Sequence, residues 1–411
     1  TGHGIGSPTM VRRLAVPVPQ AVADLSADWL TDALHQSGAV HSARVTSFTT
    51  GTPGSGRGFT GQTFRVALEW DRPEVGAPAT VLLKVPSADP GNRGLVEKDG
   101  AYDRELDFYE RFSADFPVRV PRLYHSLRDP GPGPAARLRT NRLIDRLPES
   151  ALRFVGQHAR RLVRPSGRRY LLLTEYIPGA RTTTMEDYPP EGDLQEILSA
   201  LARIHARWWR HPDLSDEEVV SWPTVTQTPR LMHGLYRARR SEVAERWPHL
   251  FTPELIGLTD WFGDHIEDLI DFINEPLALL RGDTRTDNML FCDDGLVMVD
   301  FGNLGSGRPA FDVATLLSST LAPGADAPSR LDQLVGDYHR ALVDEGVVDH
   351  SLAQFRNDLD VCLILHAYLL VLTAGHYEAD YSGASLAEIW ASRILGLLPE
   401  EVPTIGEVIA A

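Results

Sequence analysis

Two carboxylates and an amide flank a hairpin pattern in the second half of the chain. The stretch 279–312 contains two apolar runs, MLF and LVMV, on either side of an Asp-Asp-Gly turn at 293–295. Apolar runs around Asp-Gly are typical of a tight β-hairpin. If the turn is centred on its middle residue, Asn288 faces Asp300 across the strands. Asp283, in a glycine-containing loop five residues before Asn288, can then reach the same point.

These oxygen donors predict a magnesium site at the open end of the hairpin. Mg²⁺ takes one or two protein carboxylates and leaves its other positions to water and phosphate oxygens. An exposed hairpin with polar ends is the alternative that the hairpin pattern leaves open.

The elements expected to position this chemistry begin with a β-rich segment. Residues 26–37 have a serine cap and helical apolar spacing, and strand patterns follow from Val45 around a glycine-rich loop. The loop glycines Gly54, Gly56 and Gly58 would let backbone N–H groups approach phosphate oxygens, although a flexible surface hairpin is an alternative.

Lys84 follows three aliphatic residues, so we expect it on a buried strand where its ammonium needs a partner. The next helical pattern, YDRELDFYERF, offers Glu105. A lysine that reaches solvent from the strand edge is the alternative.

Length and composition predict a globular protein. The chain has 411 residues, enough for two or three domains or one bilobal unit, and 43% of them are hydrophobic. No apolar run approaches the roughly 20 residues of a membrane span. Only Cys292 and Cys362 are present, which favours a reducing cytoplasm over a disulfide framework or a cysteine zinc site. We see no secretory signal, and residues 1–9 resemble an expression-tag remnant.

Charge is distributed unevenly along the chain. Residues 1–175 hold 24 Lys and Arg against 18 Asp and Glu, a net charge of +6. Residues 176–411 have a net charge of −22, so the whole chain has −16. A basic first half suits a nucleotide, and an acidic second half suits a cationic or polyhydroxylated partner. The alternative is that acidic helical surfaces serve solubility.

An arginine-rich insert at about 129–169 interrupts the β-rich half. Its stretch ESALRFVGQHARRLV predicts a basic amphipathic helix, which would dock an acidic partner or an anionic substrate unless the insert is merely solvated. Aromatic residues are too sparse for a nucleic-acid surface. The arginines are at positions 137, 139, 142, 146, 153, 160, 161, 164, 168 and 169.

A strand pattern ending at Glu175-Tyr176 separates this half from a helical remainder. We therefore expect an N-terminal lobe at 10–176, including the insert, and a C-terminal lobe at 177–411. The apolar spacing within the second lobe predicts several amphipathic helices.

Taken in order, these motifs resemble protein-kinase-like phosphotransferases. The glycine loop, strand lysine, helix glutamate, R-G-D-x-x-x-x-N at 281–288 and Asp-Phe-Gly at 300–302 follow one another as in that group. The tail from Gly305 to Asp312 and the LARIHARWW helix are similar to the aminoglycoside phosphotransferase and choline kinase branch, near the ecdysteroid-kinase-like enzymes. The resemblance implies an α+β, bilobal fold with an antiparallel β-sheet lobe and a larger helical lobe.

The resemblance also implies roles for individual residues. Lys84, held by Glu105, would contact the α and β phosphates of ATP, which the glycine loop would cover. Backbone groups of Glu175, Tyr176 and Ile177 would bind the adenine. Asp283 would be the catalytic aspartate. The resemblance further implies that Asn288 and Asp300 bind Mg²⁺ and that Asp312 ties the catalytic loop in place.

Three positions of the loop depart from the family pattern. Arg281 replaces the usual histidine, so we expect it to pair with an acid such as Asp300 or Asp312, or to alter the loop geometry. Arg285 and Asp287 replace the more usual histidine and glycine, and Arg285 would pair with an acid or reach a phosphate.

The resulting expectation is an ATP-dependent O-phosphotransferase acting on a hydroxyl of a small molecule, such as an aminoglycoside-like or other antibiotic. GTP is not excluded as the donor, and we expect neither nucleic acid nor membrane as a partner. The alternatives are a Ser/Thr kinase of a biosynthetic peptide recognised by the insert, and a kinase-like nucleotide-binding protein with little activity.

Overall fold

The computed structural model describes residues 19, 22–51, 61–215, 227–374, 380–381, 384–399 and 405–410. The tag-like segment at 1–9 and the loop glycines Gly54, Gly56 and Gly58 lie outside the described residues. The chain forms two compact units. The first comprises the described residues up to Gly131 together with Arg160–Ala180, and the second comprises Pro132–Ala159 and the described residues from Arg181 onward.

The first unit is built on one antiparallel sheet, with strands in the order β1-β2-β3-β5-β4. Their bounds are β1 Val45–Gly51, β2 Gly61–Trp70, β3 Thr80–Pro86, β4 Leu123–Arg128 and β5 Tyr170–Glu175.

Alternation along β3 decides which face of the sheet Lys84 occupies. Val81, Leu83 and Val85 are buried in a core shared with helix α1 (Ala27–Gln36). Because successive side chains of a strand point to opposite faces, Lys84 lies on the other face. The predicted α1 is confirmed, and its Ser26 hydroxyl accepts a hydrogen bond from the Trp29 N–H at 3.1 Å.

Helices α2 (Pro90–Asp99) and α3 (Ala101–Arg111) complete the first unit. Sequence patterns predict α3 but miss α2, because a proline and two glycines obscure its helical periodicity. Asp89 caps α2 by accepting the Asn92 N–H at 2.7 Å. The turn between the helices is made by Gly100, with φ +83°.

The arginine-rich insert folds into two helices, α4 (Pro134–Asp145) and α5 (Glu149–Leu162), and α5 is the predicted basic helix. The sequence led us to expect the whole insert in the first unit. The structure instead assigns Pro132–Ala159 to the second unit. Leu152 on the inner side of α5 is buried, so this part of the insert packs with the helical unit. The later boundary also falls after Ala180 instead of after residue 176.

The second unit is mainly helical, with short strand pairs. The strands β6 and β9 pair antiparallel, as do β7 and β8. The elements are α6 Glu191–Arg207, α7 Pro229–Arg246, α8 Pro253–Asp264, α9 Ile270–Asn274, β6 Ala278–Leu280, β7 Met289–Cys292, β8 Gly295–Met298, β9 Gly305–Gly307, α10 Ala310–Thr320, α11 Ala327–Asp344, α12 Leu352–Thr373, β10 Asp380–Tyr381, β11 Ala384–Ser385, α13 Leu386–Ile394 and α14 Ile405–Ala410.

Two features of this unit differ from the sequence patterns. The apolar pattern from Pro253 to Asn274 forms two helices, α8 and α9, instead of one, and the β6–β9 pair was not expected. Within the described part of the chain, every helix is too short or too polar to cross a lipid bilayer.

Candidate functional site

The first unit brings Lys84 and Glu105 together as the sequence predicts. Lys84 Nζ lies 2.8 Å from Glu105 Oε1, and the two side chains are 15% and 6% exposed. Lys84 stands on the central strand β3, opposite Thr63 of β2 and Leu172 of β5. A pair this buried fixes α3 against the sheet, since removing one partner leaves an uncompensated charge at a cost of about 3–5 kcal/mol.

The strand-end segment after β5 is anchored within the first unit. The Glu175 N–H donates to the Arg122 carbonyl at 2.8 Å, and its carboxylate accepts the Arg122 N–H at 3.1 Å. The guanidinium of Arg65 lies 5.2 Å from the centre of the Tyr176 ring, and Ile177 is buried. The backbone of this segment is thus held in a defined conformation.

In the second unit, the predicted hairpin is confirmed but its register is wrong by one residue. Cys292 pairs with Gly295 and Met289 with Met298, so the turn contains two residues instead of three. Asn288 therefore lies opposite Val299, whose N–H donates to the Asn288 carbonyl at 3.1 Å, and not opposite Asp300.

The loop after β6 is held by the buried carboxylate of Asp312. This carboxylate accepts the N–H groups of Arg281 at 2.7 Å and Gly282 at 2.8 Å. The Thr284 hydroxyl donates to the Asp312 carbonyl at 2.7 Å. The loop that carries Asp283 is therefore fixed on both sides of that residue by one aspartate.

His205 supports the loop through Asp312, a role that the sequence analysis did not assign to it. It is fully buried on α6, and its Nε2 donates to Asp312 Oδ2 at 3.2 Å. The hydroxyl of Tyr338 lies 2.7 Å from His205 Nδ1. The LARIHARWW pattern was the available signal, but the spacing of the motif does not reveal which acid its histidine meets.

Asp283 is held by a two-point ion pair with Arg285. Nε and Nη2 of Arg285 donate to Oδ1 and Oδ2 of Asp283 at 2.7 and 2.9 Å. Burial by itself would raise the pKa of the Asp283 carboxyl, but the charge and hydrogen bonds of Arg285, together with the charge of Arg281, lower it from 3.8 to about 2. Asp283 is consequently an ionised hydrogen-bond acceptor at neutral pH.

We expect Arg285→Gln to move the acid limb of the kcat profile upward by about one pH unit. With Arg285 present, the folded pKa is depressed, so the ionised form persists as the pH falls towards about 2. Without the arginine, burial dominates and protonation sets in at higher pH. The measurement is kcat against pH. Arg181→Gln is the control, because Arg181 makes a similar two-point pair with Asp193 at 2.6 and 2.9 Å. If the acid limb does not move in Arg285→Gln, Arg285 does not control the ionisation of Asp283.

Asn288 and Asp300 have the donor types that a divalent cation requires. Asn288 is nearly buried, and its Nδ2 donates to the Asp283 carbonyl at 3.2 Å, which orients the amide oxygen away from that carbonyl. Asp300 has φ +64°, a strained conformation for a residue with a side chain. One amide oxygen and one carboxylate fit the small protein ligand set of Mg²⁺. Among the described residues, no cluster of three or more His, Cys, Asp or Glu side chains has metal-holding geometry.

Arg281 occupies the family histidine position and is fully buried. Its Nη2 donates to the Val299 carbonyl, and its guanidinium lies 5.4 Å from the centre of the Phe301 ring. Burial lowers the pKa of this guanidinium, opposed by the charges of Asp283, Asp300 and Asp312. Its side chain thus braces the peptide before Asp300, while its backbone N–H, not its guanidinium, binds Asp312.

Comparison with known proteins gives a family match over most of the chain. Residues 61–346 match the model of the phosphotransferase enzyme family. A search of curated protein sequences found no match.

Several solved structures resemble the chain at low sequence identity. A choline kinase from Cryptosporidium parvum Iowa II is 12% identical with a TM-score of 0.50, and the alignment covers 85% of this chain and 87% of that one. A choline/ethanolamine kinase family protein from Mesorhizobium loti is 13% identical with a TM-score of 0.45, covering 89% and 92%. An aminoglycoside-3'-phosphotransferase of type VIII is 20% identical with a TM-score of 0.36, covering 77% and 93%.

The family match and the α+β architecture agree with the ordered motifs. The choline kinase likeness supports a protein-kinase-like fold. The chain belongs to the phosphotransferase enzyme family and has a protein-kinase-like fold.

Proposed function

We propose that the protein transfers the γ-phosphate of ATP to a hydroxyl group of a small, cationic secondary metabolite such as an amino-sugar antibiotic. The observation that carries this proposal is the fixed, ionised carboxylate of Asp283, held by Arg285 in a loop that Asp312 anchors. Phosphoryl transfer needs mainly positioning and charge neutralisation from the protein. A carboxylate of this kind can orient an acceptor hydroxyl and accept its proton late in the reaction.

The nucleotide would be bound chiefly by the first unit. Lys84, paired with Glu105, supplies a positive charge for the α and β phosphates. The anchored backbone of Glu175–Ile177 offers hydrogen-bonding groups for the base, and the loop containing Gly54, Gly56 and Gly58 would cover the phosphates. Asn288 and Asp300 would hold Mg²⁺, which neutralises phosphate charge when bound.

We expect ATP with Mg²⁺ to raise the melting temperature of the protein, because a ligand at about 100 times its Kd stabilises the folded state by about 2.7 kcal/mol. GTP in the same assay identifies the donor. Lys84→Met serves as the comparison, since it removes the ammonium while leaving most of the strand packing. If neither nucleotide stabilises the wild-type protein, the proposed function fails.

The acceptor is addressed by a mass-shift assay. Incubation with ATP and panels of amino-sugars, nucleoside antibiotics and peptides would be read as a gain of about 80 Da, the increment of one phosphoryl group. The balance of −22 in residues 176–411 favours cationic acceptors. Nucleotide binding without any phosphorylated product would support the inactive, kinase-like alternative.

A peptide kinase is the second candidate, and the surface of the insert favours it. Leu143 and Phe154 are 65% and 55% exposed on α4 and α5, and Arg139, Arg142 and Arg153 of the same helices are exposed as well. Such a mixed apolar and basic surface suits an acidic peptide. If a peptide is the acceptor, Phe154→Ser should raise its KM, whereas phosphorylation of a small molecule should be unaffected.

A further inference from the structure

Helix α3 carries Glu105 on one side and a stripe of acids on the other. Asp103, Asp107 and Glu110 are spaced at i, i+4 and i+7, so they share one face of the helix. At 3.6 residues per turn, Glu105 is rotated about 200° from Asp103. Helix α3 therefore forms ion pairs on opposite sides, with Lys84 at Glu105 and with two arginines at the acidic stripe.

Two arginines hold the acidic stripe. Arg128, at the end of β4, places Nη2 2.6 Å from Asp107 and 2.9 Å from Glu110. Arg168, two residues before β5, forms a fork with Asp103, with Nη1 and Nη2 each 3.2 Å from a carboxylate oxygen. Both oxygens of Asp103 are thus engaged by one planar guanidinium.

All five N–H groups of Arg168 have acceptors. Besides the two bonds to Asp103, Nε and Nη2 donate to the Asp129 carbonyl at 3.0 and 2.8 Å, and Nη1 donates to the Tyr170 hydroxyl. A guanidinium has five donors in a fixed plane, whereas a lysine has three on a flexible stem. This saturation ties α3, the loop after β4 and the start of β5 into one rigid connection.

The backbone around Arg168 is also bound to α2. Arg93 Nη2 donates to the Arg168 carbonyl at 2.6 Å, and the Ser166 N–H donates to Glu97 Oε2, also at 2.6 Å. The segment between α5 and β5 therefore contacts both α2 and α3 before it enters β5.

We propose that Arg168 is a positioning residue that sets the rotation of α3 so that Glu105 meets Lys84. The inference rests on the proposed function only in its consequence, which is that loss of Arg168 weakens ATP binding. Arg168 lies in the first unit, as do α3 and Lys84, so this connection lies entirely within that unit.

The test compares Arg168→Gln with Arg169→Gln. Arg169 is a matched control because it pairs with Asp129 at 2.8 and 2.6 Å and lies next to Arg168 in the chain. Arg168→Gln should raise the Kd for Mg-ATP about tenfold, an effect of the size expected for a residue that acts through a contact network. Arg169→Gln should raise this Kd less than about twofold. Hydrogen exchange of residues 101–111 should accelerate in Arg168→Gln and stay unchanged in Arg169→Gln.

A second variant keeps the test decisive if Arg168→Gln does not fold. A Cβ on Gly131 would lie 2.2 Å from Arg168 Cζ, so Gly131→Ala displaces the guanidinium without removing its charge. Gly131→Ala should weaken ATP binding and accelerate hydrogen exchange of α3, each by a smaller factor than Arg168→Gln does. Unchanged exchange of 101–111 in both Arg168→Gln and Gly131→Ala overturns the proposal. If the wild-type protein does not bind ATP, the proposed function fails, while the exchange experiment still decides the role of Arg168.

Discussion

Asp283→Asn should lower kcat by about 10³-fold and leave the Kd for Mg-ATP within about twofold, because a positioned proton acceptor contributes roughly 10²–10⁴ to the rate. Asparagine keeps the shape of the side chain but loses the charge and one acceptor. In the wild-type protein, both carboxylate oxygens accept from Arg285, at 2.7 and 2.9 Å. The variant therefore loses the acceptor for the substrate proton while the nucleotide residues of the first unit are untouched.

Asp287→Asn is the matched control for this experiment. Asp287 is in the same loop and lies 3.6 Å from Nη1 of the same arginine, Arg285, yet no catalytic role is assigned to it. Steady-state kinetics and calorimetric titration with Mg-ATP separate turnover from binding. If Asp283→Asn retains full turnover, or if Asp287→Asn loses as much, Asp283 is not the catalytic aspartate.

Gly282→Ala should be the most damaging methyl addition in the described part of the catalytic loop. Gly282 has φ +83°, and a Cβ there would lie 2.0 Å from the Asn303 carbonyl oxygen. We expect a loss of about 3 kcal/mol in the free energy of unfolding, since about 1 kcal/mol comes from the left-handed backbone and the rest from overpacking. Because Asp283 is the next residue, kcat should also fall about 100-fold, the effect of misplacing a reacting group by about 1 Å.

Gly76→Ala separates the clash from the backbone strain. Gly76 has φ +86°, but a Cβ there would meet only the Ala39 carbonyl at 3.8 Å. Its cost in urea unfolding should stay near 1 kcal/mol, the backbone contribution alone, with kcat unchanged. Equal losses of stability in the two variants would show that the contact with Asn303 does not constrain the loop.

Much of the fold could be predicted from local patterns. The serine cap of α1, the alternation of β3 and the apolar runs around Asp293-Asp294 all act over a few residues, so the sequence determined a helix, a buried strand and a hairpin there. Sequence patterns failed to predict a helix where local signals conflicted. The proline and glycines of Pro90–Asp99 hid a helix that capping and packing stabilise.

The pairing of Lys84 with Glu105 could also be predicted, because a buried ammonium requires an acid and the next helix supplied one. The order of the motifs also resembled the phosphotransferase family, which the family match confirms. The catalytic role that this resemblance implies for Asp283 stays a prediction.

Only the tertiary structure decided what each charged group contacts. A one-residue difference in turn length placed Asn288 opposite Val299 instead of Asp300, since strand register depends on the turn that forms. Arg281 was expected to pair with an acid or to alter the loop geometry, and the structure places its buried guanidinium against the Val299 carbonyl and the Phe301 ring.

The β7–β8 hairpin and the residues around it show both what the sequence predicted and what the tertiary structure added. The order of its residues and of the other motifs resembles the phosphotransferase enzyme family, and the family match over residues 61–346 confirms that resemblance. The structure adds contacts between residues that lie 2 to 65 positions apart. They are the hydrogen bonds of Arg285 with Asp283, of Gly282 with Asp312 and of Arg168 with Asp103. Contacts of this kind depend on packing in three dimensions, and spacing along the chain does not encode them.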